Sequence, residues 1–322
     1  MSLIERALER LKQETARKEQ EASSRTPPAA SSAVTTSAES MKNATSPQSA
    51  PHDTFPSLPC RADRTVRIEP SALRAAGVIA PASEERRLAE EYRIIKRPLL
   101  KVITSTDPKE LRNLVAVTSA LPGEGKTFTS INLALSLALE RGREVVLVDG
   151  DTAKRHVTHV FGLDGEPGLL DAGADAGSDL EHTVLSTDIP SFYILPAGRA
   201  HAEATEILRS ERTAALLTSL ASNPRRIVLI DTAPMLVTSE AGVMAALAGQ
   251  VLMVVKASET PQEVVVRAVE AIAEDKPVSL VLNQVLSAPE RHYGYYYGGY
   301  GYGRPAYGSE SATDTIATDE AK

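Results

Sequence analysis

The stretch Ala120-Leu121-Pro122-Gly123-Glu124-Gly125-Lys126-Thr127 decides the fold of this chain, because it has the spacing of a phosphate-binding loop, or Walker A motif. Small residues in such a loop let backbone N–H groups approach a β-phosphate closely. The pattern predicts that Lys126 reaches the β- and γ-phosphate oxygens and that the Thr127 hydroxyl binds Mg²⁺. The residues expected to contact a nucleotide are Pro122, Gly123, Glu124, Gly125, Lys126, Thr127 and Phe128.

The sequence on either side of the loop agrees with this interpretation. Residues 114–117 form a short apolar run that predicts a strand, and residues 127–140 have the apolar periodicity of a helix that ends before Gly142. The alternative is a chance glycine-rich turn. Such a turn needs neither a strand before it nor a helix after it, so the context favours a nucleotide site.

Predicted strands and helices alternate after Arg112. This alternation predicts an α/β fold of the P-loop NTPase type, with a mostly parallel sheet, helices on both faces and ligands at the carboxyl ends of the strands. Asn283 follows the last predicted strand, where it either contacts the nucleotide base or forms a turn or cap. The predicted strands are 114–118, 144–148, 192–195, 227–230, 250–255 and 278–282, and the predicted helices are 83–101, 127–140, 205–221, 239–247 and 261–273.

Acidic residues follow two of the predicted strands. Asp149 and Asp151 come directly after strand 144–148, and Asp231 comes directly after strand 227–230. A carboxylate at the end of a buried strand, beside a phosphate loop, is placed to hold Mg²⁺ directly or through water. A single Asp is also a common helix cap, but three carboxylates at two strand ends are hard to explain as caps. We therefore expect a magnesium site here.

The regions outside this core differ in composition. Residues 1–20 have the pattern of an amphipathic helix, which packs on its own domain or frays, or else docks a partner. Residues 21–82 are rich in Ser, Thr, Ala and Pro and predict a disordered linker, with a short ordered patch over 67–77. Residues 83–287 form the predicted P-loop domain, and residues 288–322 form a Tyr/Gly-rich tail.

The bulk composition excludes several classes of protein. The chain has 322 residues, a net charge of −7 and one cysteine. A chain with a negative net charge lacks the excess of basic residues that is typical of nucleic-acid-binding proteins. A single cysteine suits a reducing cytosol. We see no signal peptide and no apolar run of about 18 residues that would span a bilayer. We therefore expect a cytoplasmic protein that reaches the inner membrane only through a partner.

Seven of the nine tyrosines lie within residues 293–307, where glycines separate most of them. Glycines at this density disfavour a helix and leave the tyrosines exposed. The segment is either a low-complexity tail for weak self-association or a set of phosphoryl acceptors. The upstream nucleotide site favours acceptors. The candidates are Tyr293, Tyr295, Tyr296, Tyr297, Tyr300, Tyr302 and Tyr307.

In combination, these motifs resemble the bacterial tyrosine kinases of the capsular and exopolysaccharide type, which are built on a P-loop scaffold related to MinD and ParA. Walker A lies at 119–127, Walker A′ at 146–151 and Walker B at 228–234, and the resemblance covers residues 83–307. The stretches 1–8, 91–98 and 195–198 are similar to the branch of autokinases associated with exosortase and exopolysaccharide gene clusters.

The resemblance implies an ATP-dependent tyrosine autokinase that regulates exopolysaccharide synthesis or export. At the matching positions, Lys126 would bind the phosphates and Thr127 would bind Mg²⁺. Asp149 would accept the tyrosine proton, and Asp151 and Asp231 would organise Mg²⁺ and its waters. The chemistry agrees, because a hydroxyl with a pKa of about 10 needs a carboxylate within hydrogen-bond reach.

The resemblance also implies partners. The family's Glu-x-x-Arg-x-x-Arg oligomerisation helix corresponds here to Glu90, Arg93 and Lys96. A ring-like homo-oligomer would let one subunit's tail enter its neighbour's site. A membrane chain-length determinant (polysaccharide co-polymerase) would supply an activating cytoplasmic segment, and a tyrosine phosphatase would act on the product. From spacing alone, the same three residues predict a salt-bridge ladder on a solvated face.

Two alternative functions agree less well with the sequence: an ATPase switch and a non-catalytic scaffold. ParA- and MinD-like ATPase switches carry a signature Lys five positions before the loop lysine, where this chain has Leu121, and they have no reason to end in a tyrosine tract. A non-catalytic scaffold would require all three acidic residues to be accidental. Within the kinase family, Ala153 stands where an Arg is common, and Lys154 and Arg155 follow it.

Overall fold

The computed structural model describes residues 58, 60–79, 81, 83–105, 107–175, 177 and 180–285. The predicted helix at 1–20, most of the predicted linker and the tail at 288–322, with its seven candidate tyrosines, lie outside the described residues. None of the helices in the described part of the chain has the length and hydrophobicity needed to cross a bilayer.

The described elements alternate along the chain as predicted. The strands are β1 Arg61–Val66, β2 Leu114–Ser119, β3 Glu144–Asp149, β4 Leu185–Thr187, β5 Phe192–Leu195, β6 Arg226–Asp231, β7 Gln250–Lys256 and β8 Val278–Asn283. The helices are α1 Pro70–Ala75, α2 Glu85–Ser105, α3 Lys126–Ala138, α4 His156–Val160, α5 Leu169–Ala174, α6 Leu180–Thr183, α7 Ala204–Arg209, α8 Glu211–Ala221, α9 Ser239–Leu247 and α10 Gln262–Glu270, with a 3₁₀ turn at Pro108–Glu110.

The eight strands of the described residues form one sheet in the order β1-β4-β5-β3-β6-β2-β7-β8. Neighbouring strands are parallel except for the antiparallel pair β4 and β5. Every residue of β2 and β6 is buried, as expected for parallel strands covered by helices on both faces. The predicted α/β P-loop fold is confirmed, and the six predicted strands match the observed ones to within one residue at each end.

The linker predicted for residues 21–82 extends too far, because Arg61–Val66 is an edge strand that pairs with β4. Its sequence, Arg-Ala-Asp-Arg-Thr-Val, has too few apolar residues to be recognised as a strand. Two ion pairs replace the missing apolar contacts: the Arg61 guanidinium lies 2.7 Å from the Glu166 carboxylate, which Arg64 also contacts. The ordered patch expected over 67–77 is present and contains α1.

The single helix predicted at 205–221 is two helices, α7 and α8, which meet at Ser210. Ser210 has an extended backbone, and its hydroxyl accepts a hydrogen bond from the Thr213 N–H at 3.2 Å. A serine that caps in this way stabilises a new helix start. The apolar periodicity continues through the junction, which explains why the prediction missed the break.

Helix α2 gives different roles to the three residues predicted for oligomerisation. Glu90 and Arg93 are exposed and pair with each other at 2.5 Å, as the salt-bridge ladder predicts. Lys96 is buried instead, and its ammonium donates to the Ser136 carbonyl at 3.0 Å and lies 2.6 Å from the Glu140 carboxylate. Lys96 therefore differs from the solvated position that the spacing predicts, because this side chain holds α2 against the end of α3, and its contact with another subunit stays a prediction.

We expect Lys96→Ala to lower the free energy of unfolding by about 1–3 kcal/mol, because it leaves a buried carbonyl without its charged donor. Arg93→Ala, three residues earlier on the same helix, removes only an exposed pair and should change it by less than about 0.5 kcal/mol. Urea unfolding of both variants measures the difference. Equal effects would contradict the internal role of Lys96.

Candidate active site

The three predicted motifs meet at the carboxyl edge of the sheet. In the strand register, Asp149 of β3 is the partner of Asp231 of β6, and Asp231 is the partner of Val117 of β2, which leads into the phosphate loop. Neighbouring strands lie about 4.8 Å apart, so Asp231 stands one strand and Asp149 two strands away from the strand that leads into the loop. The topology therefore brings together the residues that the sequence predicted as a site.

The phosphate loop is braced by its own acidic residue. The Glu124 carboxylate is buried and accepts hydrogen bonds from the Leu121 N–H at 2.6 Å, from the Lys256 N–H at 3.3 Å and from the Thr260 hydroxyl. The side chain of Glu124 therefore maintains the shape of the loop, and only its backbone is left to face a ligand. Phe128, also predicted to contact the nucleotide, packs against the hydrophobic core.

Lys126 stands at the start of α3 and is buried. Its ammonium donates to a carboxylate oxygen of Asp151 at 2.9 Å. Burial alone would lower the pKa of this ammonium, but the nearby carboxylates, above all Asp231, raise the pKa overall. Lys126 therefore remains a cation in a site that is otherwise acidic.

Asp231 is fully buried and receives a hydrogen bond on each carboxylate oxygen. The Thr127 hydroxyl donates to one oxygen at 2.7 Å and the Ser130 hydroxyl donates to the other at 3.0 Å. Burial raises the pKa of Asp231, while Lys126 and these hydroxyls oppose the shift. Sequence reasoning missed Ser130, although its place one helical turn after Thr127 could have indicated it.

Asp149 is also buried, and only one of its carboxylate oxygens is hydrogen-bonded. The Thr158 N–H and hydroxyl both donate to that oxygen at 2.7 Å, whereas the other, Oδ1, has no hydrogen-bond partner among the described residues. Burial, assisted by the charge of Asp231, raises the pKa of Asp149 to about 7 against the opposing effect of Thr158. Thr158 lies nine residues downstream on α4, and no local pattern predicted it.

The residues around the loop fit a nucleotide with Mg²⁺. In the part of the chain that the structure describes, no three His, Cys, Asp or Glu side chains converge to hold a metal by themselves. Mg²⁺ needs no such cage, since it usually keeps several waters and binds one or two carboxylates together with substrate phosphates. Asp151, Asp231 and the Thr127 hydroxyl are of the type that would hold it, and Oδ1 of Asp149, without a partner in the described part of the chain, suits a bound water or acceptor.

Comparisons with known proteins agree with this site. A family model described as an AAA domain matches residues 112–280, just over half of the chain. The putative tyrosine-protein kinase EpsB of Ralstonia nicotianae is 38% identical over 144 residues, which cover 45% of this chain and 19% of that relative. The chain thus spans about a fifth of the length of that protein.

Two further proteins match over longer stretches. Tyrosine-protein kinase YwqD of Bacillus subtilis is 29% identical over 221 residues, or 68% of this chain and 90% of that relative. The kinase domain of the Escherichia coli tyrosine kinase ETK superposes with a TM-score of 0.55 at 26% identity, over 66% of this chain and 81% of that one. None of these matches bears on the exosortase-associated branch, which stays a prediction. The P-loop fold implies nucleotide binding, the relatives described above are named tyrosine kinases, and the chain itself belongs to the AAA domain family.

Proposed function

We propose that this chain is an ATP-dependent tyrosine autokinase that phosphorylates tyrosines of its own C-terminal segment. The observation that carries the proposal is the buried carboxylate of Asp149, near the charged lysine of a phosphate loop, with one oxygen that has no hydrogen-bond partner among the described residues. The names of the relatives, tyrosine-protein kinases in each case, support the same activity.

The phosphate loop would bind the ATP phosphates through its backbone N–H groups and the start of α3, where the helix dipole favours negative charge. Lys126 would add its positive charge on the phosphate oxygens. Mg²⁺, when bound through Thr127, Asp151 and Asp231, would neutralise charge on the transferring phosphoryl group. These assignments rest on residue type and position around the loop.

Asp149 is the proposed base. The tyrosine oxygen attacks the γ-phosphorus, the bond from that phosphorus to the bridging oxygen breaks, ADP leaves, and the phenolic proton passes to Asp149. A carboxylate whose pKa is about 7 is matched to a base that must accept and release a proton near neutral pH. Thr158 would position it by fixing the other oxygen.

The proposed acceptors are the seven tyrosines at 293–307, reached in trans within a ring-like homo-oligomer. Glu90 and Arg93, which are exposed on α2, remain available for contacts between copies. The proposed partners are a membrane chain-length determinant that activates the kinase and a tyrosine phosphatase that removes the phosphate. Control of exopolysaccharide synthesis or export is the proposed outcome.

Anti-phosphotyrosine signal after incubation with Mg²⁺ and ATP tests the activity. We expect signal in the full chain, a loss of about 100-fold or more in Lys126→Ala, and no signal in a chain ending at Pro289. Lys101→Ala, which removes an exposed lysine on α2, should match the full chain.

Signal that persists without the tail would place the acceptors elsewhere. Steady ATP hydrolysis with no phosphotyrosine, even with the cytoplasmic segment of a membrane partner added, would instead favour a ParA- or MinD-like ATPase switch.

Asp149→Asn tests the proposed base through stability as well as activity. Because the native pKa lies above the usual 3.8, the folded chain binds more protons than the unfolded one between about pH 4 and 7, and stability falls as pH rises through this window. Without nucleotide, the variant should gain on the order of 1–4 kcal/mol of unfolding free energy at pH 8, and less at pH 5.

The same variant should lose phosphotransfer by about 100-fold. Asp275→Asn, an exposed control, should change neither quantity. An Asp149→Asn chain that is as stable as the parent at pH 8, or that keeps its activity, would contradict the proposed role.

A further inference from the structure

The end of strand β8 is fastened to the phosphate loop by two side-chain amides. Asn283 Nδ2 donates to the Glu124 carbonyl at 2.8 Å, and Gln284 Nε2 donates to the Gly123 carbonyl at 3.1 Å. Two adjacent side chains thus hold two adjacent carbonyls of the loop. The Walker A motif contains neither residue, because they lie about 160 positions further along the chain.

These contacts determine where the loop directs its N–H groups. In a planar trans peptide the C=O and the following N–H point in opposite directions. Holding the Gly123 carbonyl therefore directs the Glu124 N–H to the far side of its peptide plane, and holding the Glu124 carbonyl does the same for the Gly125 N–H. Backbone N–H groups are the donors that a phosphate loop presents to its ligand.

The side-chain amide of Asn283 approaches Gly125 closely. The φ of +91° at Gly125 is in the left-handed region, and a Cβ built on this residue would lie 2.0 Å from Asn283 Nδ2 and 3.3 Å from Asn283 Cγ. A side chain at position 125 would therefore displace Asn283 from the loop. The buried Glu124 carboxylate also accepts a hydrogen bond from the Leu121 N–H, so the loop has an internal contact in addition to those from the end of β8.

We propose that Asn283 and Gln284 are positioning residues of the nucleotide site, which orient the N–H groups of Glu124 and Gly125 toward the phosphates. They act through the loop backbone rather than on the base. The inference rests on the nucleotide binding that the proposed function requires, and it is independent of transfer to tyrosine.

Binding affinities for three ligands separate positioning from base contact. A contact to the base contributes to ADP binding, contributes differently to GDP binding and contributes nothing to pyrophosphate binding. Orientation of the loop N–H groups contributes to all three ligands, because each carries the phosphates that the loop would hold.

The experiment is calorimetric titration of the full chain with ADP, GDP and pyrophosphate in the presence of Mg²⁺. Asn283→Ala should weaken all three by a similar factor, roughly fivefold, as expected for one net hydrogen bond. Ser279→Ala is the matched control, since it lies on the same strand four residues earlier, about 13 Å away, and should leave all three affinities unchanged. Gln284→Ala should weaken the binding of all three ligands by a smaller factor that is again similar for each ligand.

A loss confined to ADP would overturn the proposal in favour of base contact, and unchanged affinities would overturn it outright. If Asn283→Ala lowers the unfolding midpoint, the exposed Gln284→Ala decides the question, because its side chain contributes little to the core. In a third outcome, the full chain binds all three ligands and Asn283→Ala weakens all three together, while the full chain makes no phosphotyrosine. That result would contradict the proposed kinase activity and support this inference.

Discussion

Two carboxylates buried side by side at the ends of adjacent strands impose the main constraint on this site. Asp149 and Asp231 are register partners, and neither is exposed to solvent. Buried charges are costly unless they are paired or hydrogen-bonded. The cation of Lys126, the hydroxyls that bind Asp231 and the two donors of Thr158 offset that cost. Of the four carboxylate oxygens, only Oδ1 of Asp149 lacks a hydrogen-bond partner among the described residues.

The phosphate loop depends on contacts from distant parts of the chain. Its glycines make a tight backbone possible, but its shape is fixed by Glu124 reaching toward β7 and by the amide of Asn283 at the end of β8. Both contacts require the order β2-β7-β8 at one side of the sheet. A short motif therefore becomes a binding site only within the assembled fold, which explains why motif matches need their structural context.

The parts of this structure that were predicted from the sequence are those that depend on local patterns. Central strands are continuous apolar runs, and the motif aspartates follow them directly, so both were recognisable. The strand Arg61–Val66 was missed because ion pairs stabilise it. The burial of Lys96 depends on the carbonyl of a neighbouring helix, Thr158 reaches Asp149 from the following helix, and Asn283 contacts the loop from about 160 residues away. No spacing rule indicates such long-range contacts, and they position much of the site.

Transfer between two copies of the chain is the most direct measurement of the central claim. A Lys126→Ala full-length chain keeps its tail but lacks the loop lysine, and a chain ending at Pro289 keeps the site but lacks the tail. Mixed with Mg²⁺ and ATP, the pair should yield phosphotyrosine on the Lys126→Ala chain, located by mass spectrometry within residues 293–307. If the mixture yields no phosphotyrosine under conditions in which the intact chain phosphorylates itself, transfer in trans to the tail is contradicted.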